Sequence, residues 1–454
     1  MQRKQALVIG GSMAGLLAAR ALSDHFEQVT VLERDQLPDT PDFRSGVPQG
    51  RHLHALLAEG QRVLESFFPG FTNDLIEMGA PTMRWGRDTA TLTPGGWLKR
   101  IDTPITTNVA TRIGLEWLTR RRVAALPNVT FVQEVEVDGL VASEGRVTGV
   151  TLRDRRDGST RALEADFVVD ASGRKSRAPE WLVALGYDAP QETMVNSFVG
   201  YATRWYEADR DFDWVSMVIN ARPKEDLKRG GAIMRAEGNR WLVTLAGVNK
   251  DYPPNDEAGF LEYARSLASP VMYEIIRNAR PISPIYGFRY DGSRRRHYER
   301  LARRPENFVV MGDAACSFNP IYGQGMTVAA LSAEALATLL KGYQGDDLSG
   351  QFQRALFSVS ERAWLMATGE DLRYPGTEGK RPNAVERFIQ RYIDRLLALL
   401  PHDDAIALAF MEAMNLSQPP AALLRPAIAL RVLRYAFSKP LPIAEYKLTE
   451  RPAG

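Results

Sequence analysis

Cysteine is nearly absent: Cys316 stands alone among 454 residues. A single thiol excludes an internal disulfide and any structural zinc site built on several thiolates, and it fits a reducing, cytoplasmic setting. A charge imbalance is missing too. Lys+Arg 57 and Asp+Glu 55 leave a net +2, so nothing in the balance points to a nucleic-acid partner. The short basic clusters at Arg120–Arg122 and Arg294–Arg296 read as solvated faces. No apolar run is long enough to cross a bilayer. The nearest stretch, residues 421–437, is interrupted by Arg425, Arg431 and Arg434. It reads as an amphipathic packing helix in preference to a helix lying on a membrane surface. The basic-then-apolar start mimics a secretion signal, but Ala6-Leu7-Val8-Ile9 is too short and runs straight into Gly10-Gly11. It reads as a strand. Histidine is scarce, and His52 and His54 form the one close pair. On a helix expected over 52–67 that spacing separates their faces, so no metal site is expected.

What is present is a large apolar fraction, 44%, enough for a sizeable core and more than one folded unit. Residues 6–10, 14–24 and 29–33 read as strand, helix and strand, a parallel crossover unit. Between the first two lies Gly10-Gly11-Ser12-Met13-Ala14-Gly15. Gly10 permits a tight turn, Gly15 lets the helix lie against the sheet, and the helix N-terminus offers N–H groups to a pyrophosphate. Ser12 replaces the usual second glycine and narrows that approach. Glu33 ends the second strand, where a carboxylate can bind ribose hydroxyls. Arg34 and Arg44 follow as cations with a plausible anionic target.

Further on, 111–126 reads as a helix and 129–170 as consecutive strands, with Asp157-Gly158 as a hairpin turn. Runs at 198–205, 214–220, 232–236 and 241–247 suggest an antiparallel sheet, interrupted by a helix near 257–268. A buried strand at 307–311 leads into Gly312-Asp313, then Phe318-Asn319-Pro320-Ile321-Tyr322-Gly323-Gln324-Gly325-Met326 and a helix to about 340. Asp313 is an acceptor at a strand end that can hold sugar-like hydroxyls. Pro320, Gly323 and Gly325 let backbone approach a flat ligand, and the helix points its positive end there. The remainder is mainly helical, with breaks at Tyr374-Pro375-Gly376 and 417–420.

These stretches together resemble the FAD-dependent monooxygenases of the para-hydroxybenzoate hydroxylase class, over at least residues 5–340. The resemblance rests on Gly10–Gly15 with Glu33-Arg34, on Val169–Ser176, and on Gly312-Asp313 with Pro320 and Gly323–Gly325. It implies that Asp313 binds the ribityl chain, that Arg44 contacts FAD, that Arg112 lies near the pyrophosphate, and that the backbone around Val135 lies near adenine. A closer likeness is to bacterial polyene epoxidases of polyether pathways and, more distantly, squalene epoxidase. It is carried by residues 44–54, Tyr201-Ala202-Thr203-Arg204, 318–325 and the Tyr374-Pro375 break. Where phenol hydroxylases carry an Asp-Gly pair, this chain has Asp170-Ala171-Ser172-Gly173-Arg174. The electron source implied is therefore NAD(P)H or a separate flavin reductase.

The fold expected is α/β: a discontinuous Rossmann-like FAD-binding domain (1–80, 100–190, 285–345), an inserted antiparallel-sheet substrate domain (81–99, 191–284) and a helical C-terminal region (346–454). The implied activity inserts one oxygen atom from O2, through a flavin C4a-hydroperoxide, into an apolar polyene, terpenoid or polyketide. Non-covalent FAD carries the chemistry. Asn319, Pro320, Tyr322, Tyr201 and Arg204 are the candidates for lining the reaction cavity, while Cys316 reads as a packing residue. Trp205, Tyr206, Trp214 and Trp241 suit either an apolar cavity or a core. A halogenase or prenyl-chain reductase on the same fold is the alternative. The tryptophan-halogenase signature, a Trp-x-Trp-x-Ile-Pro segment and an early lysine, is absent. A non-catalytic FAD-binding partner is the third reading.

Overall fold

The computed structural model describes residues 4–220, 227–342 and 347–436. Its organising element is a five-stranded parallel sheet in the order Phe308–Val310, Phe167–Asp170, Gln5–Ile9, Gln28–Leu32, Val129–Val132. The three central strands are almost entirely buried, which is why they read as unbroken apolar runs rather than as alternations. Helices Met13–Ser23, Arg112–Ala124 and Gly325–Gly342 pack on this sheet around one core, in which Leu7, Leu16, Leu17, Val168 and Val309 are fully enclosed. Thr111 caps the second of these helices, accepting from Gly114 N.

A separate antiparallel hairpin system, Val135–Ser143, Arg146–Asp154 and Thr160–Glu164, stands beside this sheet. Its turn places Gly158 at φ +76°, as the Asp157-Gly158 pair requires.

The inserted unit is a seven-stranded mixed sheet. Gly200–Glu207, Arg229–Ala236 and Arg240–Gly247 lie at its centre, and Thr89–Thr93 joins from the earlier segment by pairing parallel to Ser216–Ile219. The sheet continues past residue 284: Tyr286–Arg289 pairs with Gly200–Glu207. The strand Glu192–Val195 instead pairs with Ser293–Arg296, which in turn pairs with Cys316–Ser317. The switch between units is thus stitched by a small third sheet. Trp214, Trp241 and Tyr206 fill the insert's own core, with Phe212 stacked on Trp214 at 4.8 Å, so they are packing residues. Trp205 is also buried and donates its indole N–H to Arg51 O at 2.9 Å.

The tail is helical, as Leu348–Asp371, Ala384–Leu399, Asp404–Met414 and Pro426–Ala436. Among the described residues no helix is long and apolar enough to cross a membrane. Phe437, the end of the apolar stretch in the sequence, lies outside the described residues.

Two local expectations fail. The helix expected over 52–67 starts only at Ala58; before it come a 3-10 turn, Pro48–Arg51, and extended chain from His52. His52 is extended because its ring is drawn into the insert, with Nδ1 2.9 Å from Thr203 Oγ1. The cluster Arg294–Arg296 is not a solvated face: Arg295 is 4% and Arg296 7% exposed. Arg295 pairs with Glu361 and lies over Phe357 and Trp364; Arg296 pairs with Glu192. Aromatic faces and carboxylates replace the water that these guanidinium groups lose.

Candidate active site

Three adjacent parallel strands end in glycine turns at the same edge of the sheet, the edge where open α/β sheets bind ligands. Gln5–Ile9 ends at Gly10, Phe167–Asp170 at residues 171–173, and Phe308–Val310 at Gly312-Asp313. Gly10 has φ +101°, and a Cβ there would sit 2.6 Å from Ala171 O in the neighbouring turn. A Cβ on Gly15 would fall 1.7 Å from Gly10 O. Gly312 (φ +64°) packs the third turn against Ala14 of the first. Met13 is buried in the core, and Ala14 is half-buried at the contact.

Above the first turn lies an interlocked set of charges. Glu33, 4% exposed, accepts from Gly11 N at 2.7 Å and from Asp35 N at 3.0 Å. Arg44 reaches Glu33 at 3.2 Å, Asp35 at 2.9 Å and Glu116 at 2.8 Å, with only 7% of its side chain exposed. Despite burial, these carboxylates hold the Arg44 guanidinium above its ordinary value. Glu116 also pairs with Arg112 at 2.8 Å, one helical turn away, and accepts from Ser12 Oγ at 2.8 Å. Burial opposes ionisation of Glu116, but Arg112 and Arg44 outweigh it and hold the carboxyl below the usual range. Arg112 Nη2 donates to Ser12 Oγ at 2.7 Å. The serine that departs from the glycine pattern is therefore a hydrogen-bonded link in this network. Arg112 Nη1 is buried without a partner.

Beside this network a cleft of about 400 Å³ opens between residues 34–45, Glu134 and Arg155. Arg34 is exposed at its rim, and Val135 N donates to Glu33 O at 3.1 Å.

At the other end, Asp313 is solvent-accessible although ringed by protein. That enclosure pushes its carboxyl up, against the pull of Arg174, Arg112 and Arg294. A Cβ on Gly325, at the start of helix Gly325–Gly342, would meet nothing within 4 Å, and the same holds at Gly173. Gly323 is left-handed, at φ +67°, and Met326 is buried. Tyr201, which feels the charge of Asp313, packs on Phe288 with ring centroids 5.2 Å apart and edge-on to His52 at 4.6 Å. Burial lowers His52 to about 3 and His54 to about 4, so both rings are neutral near pH 7. Among the described residues no cluster of ligating side chains could hold a metal ion.

The five cavity candidates separate. Tyr201 lies in this aromatic cluster. Arg204 does not, because its strand alternates: Thr203 faces His52, whereas Arg204 faces the other side and pairs with Glu257 at 3.1 Å. Asn319 is 1% exposed and Tyr322 is half-buried; both bond Asp371. They hold the loop from beneath, leaving half-buried Pro320 nearer the surface. Cys316 is buried and its thiol is pushed up to about 11, as expected of an inert packing residue.

Sequence reasoning missed Asp35, Glu116, Arg174 and Asp371. Arg112-x-x-x-Glu116 was legible as a helical ion pair. Arg174, which donates to Tyr290 Oη at 3.2 Å and Ser317 Oγ at 2.5 Å, lies in the 169–176 stretch that carried the resemblance, but nothing there marked its distant partners. Asp371 carries no local signal.

The site's donors fit FAD. An orphaned Arg112 N–H suits a phosphate oxygen, Glu33 suits a ribose, the first turn leaves no room for a Cβ, and Gly325 leaves open space for a flat ring. The FAD binding domain family matches residues 3–354, and the chain belongs to it. It is similar to Protein Rv3254 of Mycobacterium tuberculosis, 35% identical over 384 residues, covering 82% of this chain and 81% of the relative. Kynurenine 3-monooxygenase of Salinispora tropica is 26% identical over 357 residues, covering 72% and 70%. Among solved structures, the flavin-dependent brominase Bmp2 aligns with a TM-score of 0.67 at 14% identity, over 95% of this chain and 98% of that one. This last likeness concerns the fold alone.

Proposed function

We propose that the chain is an FAD-dependent monooxygenase that hydroxylates or epoxidises an apolar polyene, terpenoid or polyketide. The observation carrying this reading is the alignment of three glycine turns at one sheet edge, with open space at the start of helix Gly325–Gly342. The relative that is a kynurenine 3-monooxygenase supports the reaction class. Bound FAD, once reduced by an external donor, would supply the activation of O2. Arg112, with its free N–H, and the helix Met13–Ser23 would hold the pyrophosphate. Glu33 would hold the adenosine ribose and Asp313 the ribityl chain. The N-terminus of helix Gly325–Gly342 would stabilise negative charge on the reduced ring. Tyr201, Phe288 and neutral His52 would exclude water and receive apolar substrate. Neither histidine is set to serve as a general acid at neutral pH, and an electrophilic oxygen donor acting on an alkene requires none.

Ser172, standing where related hydroxylases carry an aspartate, leaves two electron sources, NAD(P)H directly or a separate flavin reductase. The deciding experiment supplies reduced flavin to the purified protein, from NADPH, NADH or an added reductase, with a panel of polyenes and aromatics. A product one oxygen atom heavier, formed only with O2, is the expected result. Turnover that persists without O2 would establish a prenyl-chain reductase instead. Halide incorporation would establish a halogenase, although the first lysine after the opening turn is the distant Lys99. FAD that resists reduction by every donor would leave a non-catalytic binding partner.

A further inference from the structure

The family match ends at residue 354, yet the flavin loop is held from beyond it. Asp371 closes the helix Leu348–Asp371 and is 1% exposed. Its Oδ1 accepts from Asn319 Nδ2 at 2.8 Å and from Tyr322 Oη at 3.2 Å. The side chain of Ser197, from the inserted unit, lies near the same carboxylate. Thr377 Oγ1 donates to the Asp371 carbonyl at 2.5 Å, and Asn196 and Glu378 exchange two backbone hydrogen bonds of 2.8 Å. All three parts of the chain therefore meet at one buried carboxyl.

The backbone around this junction is strained. Phe198, Asn249 and Lys250 all lie in the left-handed region, at φ 49°, 54° and 69°. Asn249 N donates to Ser197 O and Lys250 N to Phe198 O. A bulky aromatic residue adopts that conformation only where its surroundings over-determine it. The site thus invests stability in fixing this corner.

We propose that Asp371 is a positioning residue for the flavin loop: by fixing Asn319 and Tyr322 it sets the course of residues 320–325 against the ring of bound FAD. The carboxyl's own environment makes this hold sensitive to pH. Burial pushes Asp371 up to about 6, against the pull of Asn319, Ser197 and Tyr322, and nearby Glu370 adds to the rise. The groups around it are Asn319 and Tyr322 of the loop, Ser197 of the insert, and Glu370, Arg373 and Tyr374 of its own segment. Arg373 is in turn paired with Asp394 of helix Ala384–Leu399. Protonation of Asp371 removes the charge that strengthens the hydrogen bonds from Asn319 and Tyr322 to Oδ1 while leaving that oxygen an acceptor, so the loop is held most firmly above the titration.

The test follows the visible spectrum and midpoint potential of FAD bound to the full chain from pH 5 to 8, whichever reaction the flavin performs. The wild-type protein is expected to show one spectral step near pH 6. Asp371→Asn, which keeps a carbonyl acceptor for both donors, should retain FAD and lose the step. Asp371→Leu should shift the midpoint potential and weaken FAD binding about tenfold, the scale set by stranding one buried donor, that of Asn319. Tyr322→Phe, which removes a single donor, should shift the potential in the same direction by less, and it carries the test if Asp371→Leu does not fold. A step that survives in Asp371→Asn overturns the proposal. So does a spectrum and potential unchanged in Asp371→Leu, or in Tyr322→Phe where that variant stands in.

Discussion

The two ends of the cofactor site are built on opposite principles. At the pyrophosphate end, Arg44 and Arg112 are locked among Glu33, Asp35 and Glu116. At the ring end, Asp313 lies under the pull of Arg174, Arg112 and Arg294, the histidines are neutral, and Tyr201, Phe288 and His52 pack as an aromatic cluster. A ligand end that never changes, a diphosphate between two sugars, can be met by a rigid charge lattice at low ordering cost. The end where chemistry varies needs a dry surface that commits to no polar partner. Under the proposed function, cofactor retention belongs to one end and substrate choice to the other.

The comparison can be broken in several places. The largest effect belongs to Gly15→Ala, whose Cβ would fall inside van der Waals contact of Gly10 O. No folded, yellow protein is expected, and purified Gly15→Ala holding stoichiometric FAD would contradict this packing. Arg44→Leu ranks next. It leaves buried carboxylates without their central cation, a loss on the order of 3–5 kcal/mol. Chemical denaturation of the apoprotein should show most of that loss even without FAD; a drop seen only in FAD affinity would make Arg44 a ligand contact and not part of the lattice.

A smaller effect separates the ends by pH. His52 and His54 have folded values of about 3 and about 4, below the ordinary 6.5. The fold therefore favours their neutral forms, and the unfolded chain binds their protons first as pH falls. Their contribution is complete above pH 6.5 and is lost progressively from there down toward pH 4 and 3. Melting temperature should fall across that window, and the fall should be shallower in His52→Gln. An equal slope in that variant would remove His52 from the account. The smallest effect is expected of Arg204→Ala, which loses a pair whose carboxylate partner is mostly exposed, about 0–1 kcal/mol. Its turnover should match wild type, and a large fall in kcat would place Arg204 back in the cavity.

The pyrophosphate end was legible because its signal is local. Gly10, Gly15 and Glu33 lie within one crossover unit, where spacing and element order constrain each other. The Gly312-Asp313 loop was legible for the same reason, as a strand, a turn and a helix in succession. Arg294–Arg296 misled because three consecutive arginines look solvated in any window. Their carboxylate and aromatic partners, Glu192, Phe357, Glu361 and Trp364, lie about 60 to 100 residues away. Asp371 was invisible because nothing near it in sequence marks a partner, and Asn319 is 52 positions distant. Arg204 was misplaced by one step of strand alternation, since Tyr201 and Thr203 take the face toward His52 and Arg204 the reverse.

The three glycine turns lie side by side in space, yet they are made far apart in time. The ribosome delivers Gly10 first, residues 171–173 about 160 positions later, and Gly312 only after the insert. A nascent chain that has emerged through Ser23 offers a phosphate-binding helix with no neighbouring turn to close against it, so it cannot trap the nucleotide. Parallel pairing of Phe308–Val310 with Phe167–Asp170 must wait for the intervening segment, a long loop to close. The full set of turns is thus present only once Gly312 and its strand have been made, and FAD capture is expected to wait for them.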